Sequence, residues 1–396
     1  MKVCFETFGC RLNKAEALQQ EADYAAKGWE ITDSHSDADL FIVRGCSVTA
    51  RAQRDCEKLI DHLKRKYPSK PVRIEGCLEK PLLQRLRPGM QPYNVPHSPE
   101  NTPVRTARAY LKAQDGCSGK CTFCIVPQFR GQSKSVPFQE LIDKARRFVD
   151  AGYGEIVVTG CNLSLYASEG RRLPELVGAL ADIAAGAGHP VRIRIGSLEP
   201  GACALETVHA MAGLRNVCKF LHIPVQSGSD RILSAMRRGY AVADVEELAE
   251  TAVRLLPNLG LGCDLMTGFP DESELDFRAT KGLLKRIPFS NAHVFPFSER
   301  PGTMAAGLPG SIDRRIRSQR AHSLAELAAA KRLKFAKRFI GRTVEVVSEK
   351  DSGCSGWTAE YLYCKSVSPV PRKTLVKVFV TSIHRDATLE GRVVNS

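Results

Sequence analysis

Three cysteines within eight residues constrain this chain more than any other part of its sequence. Residues 114–131 read QDGCSGKCTFCIVPQFRG and place Cys117, Cys121 and Cys124 at C-x3-C-x2-C spacing, with no fourth cysteine within reach. Glycine and proline punctuate this stretch, so it is predicted to be a loop. Three thiolates close together on a loop can hold three corners of an iron–sulfur cube, whereas electron-carrying ferredoxins use four thiolates per cluster. The spacing therefore predicts an iron with an open position for a substrate.

A zinc site is the alternative for this triplet, because zinc sites also use C-x2-C pairs. The chain offers no second C-x2-C or His-x-Cys pair placed to complete a tetrahedron. The spacing therefore favours an iron–sulfur cluster over zinc.

Composition limits the class of protein and its partner. With 396 residues, of which 43% are hydrophobic, the chain is long enough for two or three domains with their own cores. It begins without a charged and then apolar leader and has no apolar stretch of about 18 residues, which predicts a soluble, cytoplasmic protein without membrane association. Fourteen cysteines in that compartment indicate metal or cluster ligation rather than disulfides. A net charge of +14 favours an anionic partner, most simply nucleic acid.

The first hundred residues alternate between strand and helix. Apolar runs predict strands, and 3.6-residue periodicity predicts helices. The predicted strands cover residues 2–8, 40–44 and 72–75, and the predicted helices cover residues 13–27, 49–67 and 81–86. Such alternation is typical of a doubly wound parallel sheet. Residues 88–103 hold five prolines without apolar periodicity and are predicted to be a linker.

A second set of three cysteines follows the predicted strands. Cys10, Cys46 and Cys77 each come directly after a glycine, just past the carboxyl end of a strand. Because ligand sites in open parallel sheets lie at that edge, these distant cysteines are expected to converge there. For any one of them, a small buried residue in a tight turn is the alternative, since free cysteine is often buried. The repetition favours a second set of three ligands.

From residue 104 to about residue 338 the alternation resumes on a larger scale. Six strand–helix units predict a partial TIM-type barrel, a (β/α)6 arrangement. The predicted strands cover residues 105–112, 155–159, 191–195, 220–225, 261–267 and 292–297, with helices such as 139–150 and 246–256 between them. The chemistry of such barrels sits at the carboxyl ends of the strands. The cysteine triplet and the strings GCN, SLEP, QSGSD, GFP and SER follow those ends and are candidates for the site.

The last part of the chain has a different pattern. A Lys/Arg-rich helix is predicted over residues 312–339, and strands are predicted over residues 343–348, 356–366, 374–383 and 390–394. Short strands with Gly and Pro turns predict a small antiparallel β-barrel. Residues 330–396 hold 13 Lys/Arg against 6 Asp/Glu, which with interleaved aromatic residues suits contact with unstacked bases and phosphates. The aromatics are Trp357, Tyr361, Tyr363 and Phe379, with core packing as the alternative and as the favoured one for Trp357.

The motifs along the chain resemble those of the radical S-adenosylmethionine (SAM) methylthiotransferases. The C-x3-C-x2-C spacing with Phe123 before the last cysteine is similar to the radical SAM signature, and CIVPQFRG is similar to the methylthiotransferase branch. The strings FGCRLN, GCSVTARA, EGC, TGCNL, RIGSLEP, HIPVQSGSDRIL, GFPDE and HVFPFSERPGT have counterparts in the family. The resemblance implies an N-terminal methylthiotransferase domain over residues 1–100, a radical SAM core over 103–338 and a TRAM RNA-binding domain over 339–396.

The resemblance also implies two [4Fe-4S] clusters and SAM as cofactors. It assigns an auxiliary cluster to Cys10, Cys46 and Cys77. It assigns a cluster whose open iron chelates SAM to Cys117, Cys121 and Cys124. The expected contacts to SAM are Phe123, Gly160, Asn162, Ser197, Glu199 and Gln226, and the other cysteines are expected to serve packing. No protein acid, base or nucleophile is expected, because the clusters and SAM carry the chemistry.

In this family one SAM methylates a sulfide on the auxiliary cluster, and a second SAM supplies a 5′-deoxyadenosyl radical that removes a substrate hydrogen. The branches act on N6-threonylcarbamoyladenosine or N6-isopentenyladenosine at position 37 of tRNA, or on an aspartate of a ribosomal protein. The string CSVTARA at Cys46 and the compact length favour methylthiolation at C2 of threonylcarbamoyladenosine. The expected partners are the anticodon loop of tRNA and an electron donor such as a flavodoxin or ferredoxin, and nothing indicates more than a monomer.

One position departs from the family pattern. Where the family has Asn-Thr before the middle cysteine, this chain has Arg44 and Gly45. A cation there is expected either to alter the cluster potential or to touch RNA phosphate.

Two other classes of protein remain to be weighed. A two-cluster electron carrier would explain the cysteines, but carriers need neither a barrel nor an RNA module and close each cluster with four cysteines. A non-catalytic RNA-binding protein would explain the charge but would leave both cysteine triads idle.

Overall fold

The N-terminal part of the protein is a four-stranded parallel sheet with helices. The computed structural model describes residues 1–78 and 106–394. The elements of this part are β1 (Lys2–Thr7), α1 (Arg11–Ala26), β2 (Glu30–Ile31), β3 (Leu40–Cys46), α2 (Ala50–Lys66) and β4 (Val72–Cys77). The strands follow the spatial order β2-β1-β3-β4, and each neighbouring pair is parallel. This confirms the predicted parallel sheet.

The central strand β3 shows why the sheet carries a helix on each face. All seven of its residues are buried, which is the pattern of a strand covered on both sides. One face packs against Ile60 and Leu63 of α2, and the other packs against Tyr24 of α1. The two-residue strand β2 was not predicted, because two residues are too few to show a period.

The middle of the chain forms an open barrel of six parallel strands. Its elements are β5 (Ala109–Lys112), β6 (Gln114–Asp115), α3 (Val126–Arg130), β7 (Lys134–Ser135), α4 (Phe138–Asp150), β8 (Glu155–Thr159), β9 (Ala167–Ser168), β10 (Arg171–Arg172), α5 (Leu173–Ala185), β11 (Arg192–Ile195), α6 (Ala202–Ala212), β12 (Phe220–Gln226), α7 (Asp230–Ala235), α8 (Val242–Leu255), β13 (Gly260–Thr267), α9 (Glu274–Arg286), β14 (Asn291–Pro296) and α10 (Arg314–Lys337). The sheets β11-β8-β5 and β12-β13-β14 are joined by the bridges Ile193–Val217 and Ser197–His222. No pairing joins β5 to β14 in the part of the chain that the structure describes. The partial TIM-type barrel is therefore confirmed.

Helix α1 belongs to both the N-terminal sheet and the barrel. Its Ala15 and Leu18 pack against Tyr110 of β5 and Val157 of β8. Ten of its sixteen residues are buried, so it lacks the broad polar face of a surface helix. Its N-cap residue is Cys10. The helix therefore places the first predicted ligand at a fixed position relative to the barrel.

The C-terminal part is a curled five-stranded sheet. Its strands are β15 (Thr343–Val347), β16 (Cys354–Trp357), β17 (Tyr363–Ser366), β18 (Leu375–Ile383) and β19 (Leu389–Val394). Their order is β15-β18-β19-β17-β16, and an isolated bridge between Val346 and Thr358 brings the two ends of the sheet together. The pair β17 and β19 is parallel, unlike the all-antiparallel arrangement that was expected. The strand expected over residues 356–366 is a hairpin, because the chain turns at Tyr361 with a φ of 68°.

A buried ion cluster attaches this C-terminal sheet to the barrel. Glu155 of β8 is fully buried and accepts hydrogen bonds from Arg192 at 2.7 Å and from Arg194 at 2.8 Å. Burial favours the protonated form of Glu155, but the two arginines outweigh it and hold the pKa far below its usual range. The guanidinium groups also donate to the backbone carbonyls of Glu345, Trp357, Thr358 and Ala359. Because buried charges are stable only when paired, the two parts depend on each other.

The aromatic residues at the tip of this hairpin pack inward. Tyr361 stacks on Phe220 with ring centroids 4.5 Å apart and on Trp357 with centroids 4.4 Å apart. The Tyr361 hydroxyl accepts a hydrogen bond from Arg11 at 2.7 Å. With both ring faces covered, Tyr361 is not free to stack on a base, so the expectation of base contact is wrong for this residue. Packing is also the outcome for Trp357.

The barrel strands agree with the predicted ranges within a few residues, and the first is the exception because it begins at residue 109 rather than 105. The predicted helix over residues 81–86 and the predicted linker over 88–103 lie outside the described residues. Within the described ranges, none of the helices combines the length and the apolarity needed to cross a bilayer.

Candidate cluster and cofactor site

The first cysteine triad lies at one edge of the N-terminal sheet. Cys46 and Cys77 are the last residues of β3 and β4 and face each other in the register of the two strands. Cys10 comes before α1, and a Cβ on its neighbour Gly9 would lie 2.7 Å from Cys46 Cβ. The structure thus brings these three cysteines to the carboxyl edge of the sheet. Two of them end their strands rather than follow them.

The glycines before these cysteines allow the backbone segments to approach closely. Gly9 and Gly76 have φ values of +95° and +93°, a conformation that favours glycine. A Cβ at Gly76 would lie 2.5 Å from the Gly45 carbonyl oxygen, and one at Gly45 would lie 2.6 Å from Leu78 Cδ2. The repeated Gly-Cys pair is therefore a steric requirement of a crowded edge.

Asn13 holds the loops of the first triad together. Its side chain is fully buried, and Nδ2 donates to the carbonyl oxygens of Phe8 at 2.9 Å and Gly45 at 2.8 Å. Its Oδ1 lies 3.9 Å from Cys77 Sγ. Asn13 was not predicted as a site residue, although it stands in the string FGCRLN, three positions after Cys10.

The environment of the first triad favours neutral thiols in the absence of a metal. Burial, with the nearby Cys10 and Cys77, raises the pKa of Cys46 to about 11. Burial also raises the pKa of Cys77, although Arg130 opposes the shift. Thiolates are the form that binds metal, and metal binding drives their deprotonation. Three free, converging thiols therefore suit an iron–sulfur cluster.

The second triad lies on the loop between β6 and α3. The pairing of β6 with β7 and a 3.0 Å hydrogen bond from the Cys117 amide to the Gly131 carbonyl close the base of this loop. A Cβ on Gly119 would lie 3.2 Å from Cys117 Sγ and 3.9 Å from Cys121 Sγ. Burial raises the pKa of Cys124 to about 11, and Cys121 and Cys117 contribute to the shift. The three sulfurs thus share one small region, as the ligands of one cluster would.

A chain of charged and amide groups adjoins the second triad. Arg238 donates to Cys121 Sγ at 3.1 Å and to Glu199 Oε1 at 2.5 Å. The other carboxylate oxygen of Glu199 accepts a hydrogen bond from Asn162 Nδ2 at 2.7 Å. Two of the expected SAM contacts are therefore joined beside Cys121. Arg238 was not predicted, because it lies 117 positions from Cys121 and has no local signal of its own.

Gly160 and Ser197 lie near the hydrogen-bonded side chains of Arg238, Glu199 and Asn162 but are not part of that series. A Cβ at Gly160 would lie 2.9 Å from Gln114 Oε1, and the same oxygen accepts a hydrogen bond from the Asn162 amide at 2.9 Å. A side chain at this position would therefore meet Gln114, and contact between Gly160 and SAM stays a prediction. Ser197 is exposed, two positions before Glu199.

A cavity of about 270 Å³ connects the surroundings of the two triads. One wall carries Val48 and Thr49, which follow Cys46, and another carries Phe123 and Cys124. Mostly apolar walls with a few polar groups are typical of a small-molecule site. The remaining lining residues are Ile125, Gln226, Asp264, Met266, Phe295, Pro296, Phe297 and Ser298.

Gln226 is the polar group in this cavity with the most unusual environment. Its φ is 67° and it is only 7% exposed. Its Oε1 has no hydrogen-bond donor within residues 1–78 and 106–394. Buried polar atoms are nearly always paired, and a left-handed backbone costs free energy outside glycine. This amide therefore suits a ligand that offers a hydrogen-bond donor.

A network of ion pairs connects the two triads. Glu16 of α1 accepts hydrogen bonds from Arg44 at 2.6 Å, Lys112 at 2.6 Å and Arg130 at 2.9 Å. Burial favours the protonated form of Glu16, but the cations outweigh it and lower the pKa of its carboxyl to about 2. Arg130 also donates from Nε to Cys77 Sγ at 2.9 Å. A side chain from the helix after the second triad therefore contacts a sulfur of the first.

Arg44, the departure from the family pattern, is a buried member of this network. It is 7% exposed and pairs with Glu16 at 2.6 Å and with Glu75 at 2.9 Å. Two carboxylates inside the protein balance its charge. The expectation that Arg44 touches RNA phosphate is therefore wrong.

The remaining cysteines lie outside the two triads. Cys161 is half-buried with Sγ 3.8 Å from Asp115 Oδ1, and burial raises its pKa to about 12. Cys203 is also half-buried. The fully buried ones are Cys4, Cys56, Cys218, Cys263, Cys354 and Cys364.

One further group of possible ligand atoms is present among the described residues. Atoms of Cys4, Glu6 and His35 lie within 4.8 Å of one another. A 2.6 Å hydrogen bond between His35 Nε2 and Glu6 Oε1 already pairs two of the three.

Two family models match the chain. The model of the Radical SAM superfamily matches residues 111–284, which include the second triad. The model described as Uncharacterized protein family UPF0004 matches residues 2–91, which include the first triad.

Curated relatives are similar to nearly the whole chain. The Threonylcarbamoyladenosine tRNA methylthiotransferase MtaB of Aquifex aeolicus is 30% identical over 383 residues, with 88% of this chain and 92% of the relative covered. The tRNA-2-methylthio-N(6)-dimethylallyladenosine synthase of Methylacidiphilum infernorum is 30% identical over 404 residues, with 88% and 84% covered. Among solved structures, the radical S-adenosylmethionine methyltransferase TsrM of Kitasatospora setae matches with a TM-score of 0.54 at 12% identity, over 77% of each chain. This last likeness concerns the fold alone.

The two curated relatives are equally identical to this chain and are named for different modified adenosines, so they identify the family and not the base. The similarity covers 92% and 84% of these two relatives, which are named as a transferase and a synthase. This excludes an electron carrier and a non-catalytic RNA-binding protein. The chain therefore belongs to the radical SAM tRNA methylthiotransferases, enzymes that use SAM and [4Fe-4S] clusters as cofactors.

Proposed function

We propose that this enzyme methylthiolates C2 of N6-threonylcarbamoyladenosine at position 37 of tRNA, giving 2-methylthio-N6-threonylcarbamoyladenosine. The observation that carries the proposal is the cavity of about 270 Å³, which is lined by the segment after Cys46 and by Phe123 and Cys124. A reaction that draws on two cofactor sites needs both of them near one substrate position. The cavity offers such a position.

The two cysteine triads hold the two clusters in this proposal. Their donor sets fit, because each triad consists of three free thiols and leaves one iron without a cysteine. When bound, the clusters and SAM supply the sulfur, the methyl group and the radical for this reaction. The auxiliary ligands are Cys10, Cys46 and Cys77. The ligands of the cluster that binds SAM are Cys117, Cys121 and Cys124.

The side chains around the second triad orient SAM. The carboxylate of Glu199 can accept hydrogen bonds from hydroxyl groups of a ribose, and the guanidinium of Arg238 beside Cys121 suits the carboxylate of a methionine moiety. Asn162 holds Glu199 in place. Gly160 and Ser197 lie at neighbouring strand ends and complete this set.

The cavity walls position the reacting groups and exclude water. Gln226 offers its unpaired Oε1 to a donor such as the exocyclic amine of the SAM adenine. Phe123 offers an aromatic surface against which an adenine ring can pack. A site with few competing water molecules protects a reactive intermediate from side reactions.

A cation near the cavity supports the threonylcarbamoyl branch. Arg51 lies in the first turn of α2, two positions after the lining residue Thr49. Its side chain is 88% exposed, and its Nε lies 3.8 Å from Asp55 Oδ2, a surface pair that a substrate carboxylate can replace. A threonylcarbamoyl group ends in a carboxylate, whereas an isopentenyl group is apolar, so a guanidinium suits the former. Arg51 belongs to the string CSVTARA, which favours the same branch.

The organisation proposed with this function comprises three domains. Residues 1–100 bind the auxiliary cluster, residues 103–338 form the radical SAM core, and residues 339–396 form a TRAM domain that binds RNA. The basic excess of the last part supports contact with the anticodon loop. We propose a cytoplasmic monomer that receives electrons from a flavodoxin or a ferredoxin.

Mass spectrometry of tRNA nucleosides tests the proposal. In a strain lacking the gene, the 2-methylthio derivative of threonylcarbamoyladenosine should disappear and should return with the wild-type gene. Cys121→Ala and Cys46→Ala should not restore it, whereas Cys203→Ala, which changes a cysteine outside both triads, should. Purified Cys46→Ala should still cleave SAM and Cys121→Ala should not.

Other outcomes would correct specific parts of the proposal. Loss of the isopentenyl derivative instead would leave the reaction in place and change the base. No change in either nucleoside would contradict the assignment of position 37 and direct the test to ribosomal protein. Restoration by Cys46→Ala would show that the first triad does not hold the auxiliary cluster.

A further inference from the structure

One arginine from the radical SAM part of the chain reaches a sulfur of the first triad. Arg130 is the last residue of α3, the short helix that begins two positions after Cys124. Its Nε donates to Cys77 Sγ at 2.9 Å, and its Nη2 donates to Asn13 Oδ1 at 2.8 Å. The side chain is only 9% exposed. Arg130 therefore connects the loop of one triad with the ligand set of the other.

The carboxylates that balance the charge of Arg130 also form ion pairs with other cationic side chains. Its Nη1 donates to Glu16 Oε1 and to Asp115 Oδ1, both at 2.9 Å. The same two residues each accept a hydrogen bond from Lys112 at 2.6 Å, and Glu16 also pairs with Arg44. Both carboxylates would thus stay paired without Arg130, whereas the contact to the Cys77 sulfur would be lost.

We propose that Arg130 is a positioning residue that raises the reduction potential of the cluster held by Cys10, Cys46 and Cys77, through a charged hydrogen bond to the Cys77 sulfur. This inference rests on the ligand assignment made under the proposed function. Hydrogen bonds and positive charge at a ligand sulfur stabilise the reduced cluster, which carries more negative charge. Because the donor follows Cys124 in the chain, the same bond holds the first triad at a defined place relative to the second.

The test measures the midpoint potential of the auxiliary cluster by itself. A full-length protein with Cys117→Ala, Cys121→Ala and Cys124→Ala retains only the first triad, so its electron paramagnetic resonance signal during a reductive titration reports one cluster. In this background Arg130→Met removes charge and donor, Arg130→Gln keeps a neutral donor, and Arg130→Lys keeps the charge. Lys112→Met is the matched control, since it removes a cation from the same two carboxylates without touching the sulfur.

We expect Arg130→Met to lower the midpoint by about 59 mV or more, which is a tenfold change in a one-electron equilibrium constant. Arg130→Gln and Arg130→Lys should give smaller downward shifts, and Lys112→Met should shift the midpoint by less than half as much. If Arg130→Met fails to fold, Arg130→Gln carries the test, because it preserves a hydrogen-bonding side chain of similar reach.

Two results would overturn the inference, and they are distinguishable. If iron analysis shows a bound cluster and the Arg130 variants shift the midpoint no more than Lys112→Met, Arg130 does not set the potential, while the ligand assignment stands. If the triple alanine protein binds no iron, the first triad is not a ligand set, and the proposed function fails together with this inference.

Discussion

Two glycines with the same backbone conformation have different neighbours in this protein. Gly76, beside Cys77, has a φ of +93°, and Gly28, after α1, has a φ of +81°. A Cβ at Gly76 would lie 2.5 Å from the Gly45 carbonyl oxygen, whereas no atom of the described residues lies within 4 Å of a Cβ at Gly28. At the scale of single residues, a comparison of these two glycines distinguishes the cost of a left-handed backbone from the cost of a steric clash at the first triad.

Gly76→Ala is expected to lower the free energy of unfolding more than Gly28→Ala. A left-handed backbone costs a residue with a Cβ about 1–2 kcal/mol at either position, and the clash with Gly45 adds to that cost only at Gly76. Gly76→Ala should also reduce the iron bound on reconstitution, because Gly76 positions Cys77. Urea unfolding of the metal-free protein and iron analysis measure both effects. Equal losses in the two variants would show that crowding at this edge is unimportant.

Gln226→Leu should weaken SAM binding without weakening the fold. Loss of a buried hydrogen-bond acceptor for the ligand corresponds to roughly a tenfold higher Kd, about 1.4 kcal/mol. The free energy of unfolding without ligand should stay the same or rise, since the change removes an acceptor that has no donor in the described protein. Equilibrium dialysis with the reconstituted protein measures the affinity, with the exposed Gln139→Leu as control. Unchanged affinity in Gln226→Leu would mean that Oε1 does not face SAM.

At the scale of elements, four of them meet at one carboxylate. Glu16 on α1 pairs with Arg44 of β3, Lys112 of β5 and Arg130 of α3. These partners come from both the N-terminal sheet and the barrel. The carboxylate is therefore a joint between the two parts as well as a neighbour of the first triad.

The ion pairs of Glu16 should make the free energy of unfolding depend on pH. The folded pKa of Glu16, about 2, lies below its ordinary value of 4.5, so its contribution is fully present above that ordinary value and is lost as the pH falls toward 2. The difference in unfolding free energy between wild type and Glu16→Gln should thus be about 3 kcal/mol above about pH 5 and should shrink on acidification. Urea unfolding of the metal-free protein at several pH values measures it. The surface variant Glu30→Gln should show little effect at any pH, and a Glu16→Gln difference independent of pH would contradict the network.

At the scale of the whole molecule, the net charge of +14 should make tRNA binding fall steeply with salt. Lys334 and Lys337 are exposed at the end of α10, just before the C-terminal sheet. Changing both to Glu should lower affinity about tenfold or more and reduce the slope of log affinity against log salt by roughly 2. Filter binding at several salt concentrations measures both quantities.

The control for this charge reversal is a second double variant. Arg146→Glu with Arg254→Glu changes the net charge equally, but these residues are exposed on α4 and α8, the outer helices of the barrel. We expect a clearly smaller loss of affinity. Equal losses would mean that overall charge, rather than the surface of α10, governs binding.

Much of the fold could be predicted because it depends on local pattern. Apolar runs placed five of the six barrel strands within one residue at each end, and the alternation of strand and helix indicated parallel sheets. The rule that parallel strands share a carboxyl edge also predicted that Cys10, Cys46 and Cys77 converge. The two-residue strand β2 and the hairpin at Tyr361 were not predicted, because neither gives a periodic pattern in the sequence.

Period, spacing and turn residues are properties of neighbouring positions, so they were enough to predict the longer elements, their order and the two candidate ligand triads. The packing of the tertiary structure sets which side chains surround those triads. Arg130 meets Cys77 across 53 positions, and Arg238 meets Cys121 across 117. It also decided that Arg44 is buried between Glu16 and Glu75 rather than exposed to RNA. The physical reason is that contacts between distant residues depend on how whole elements pack, and a local pattern carries no information about that packing.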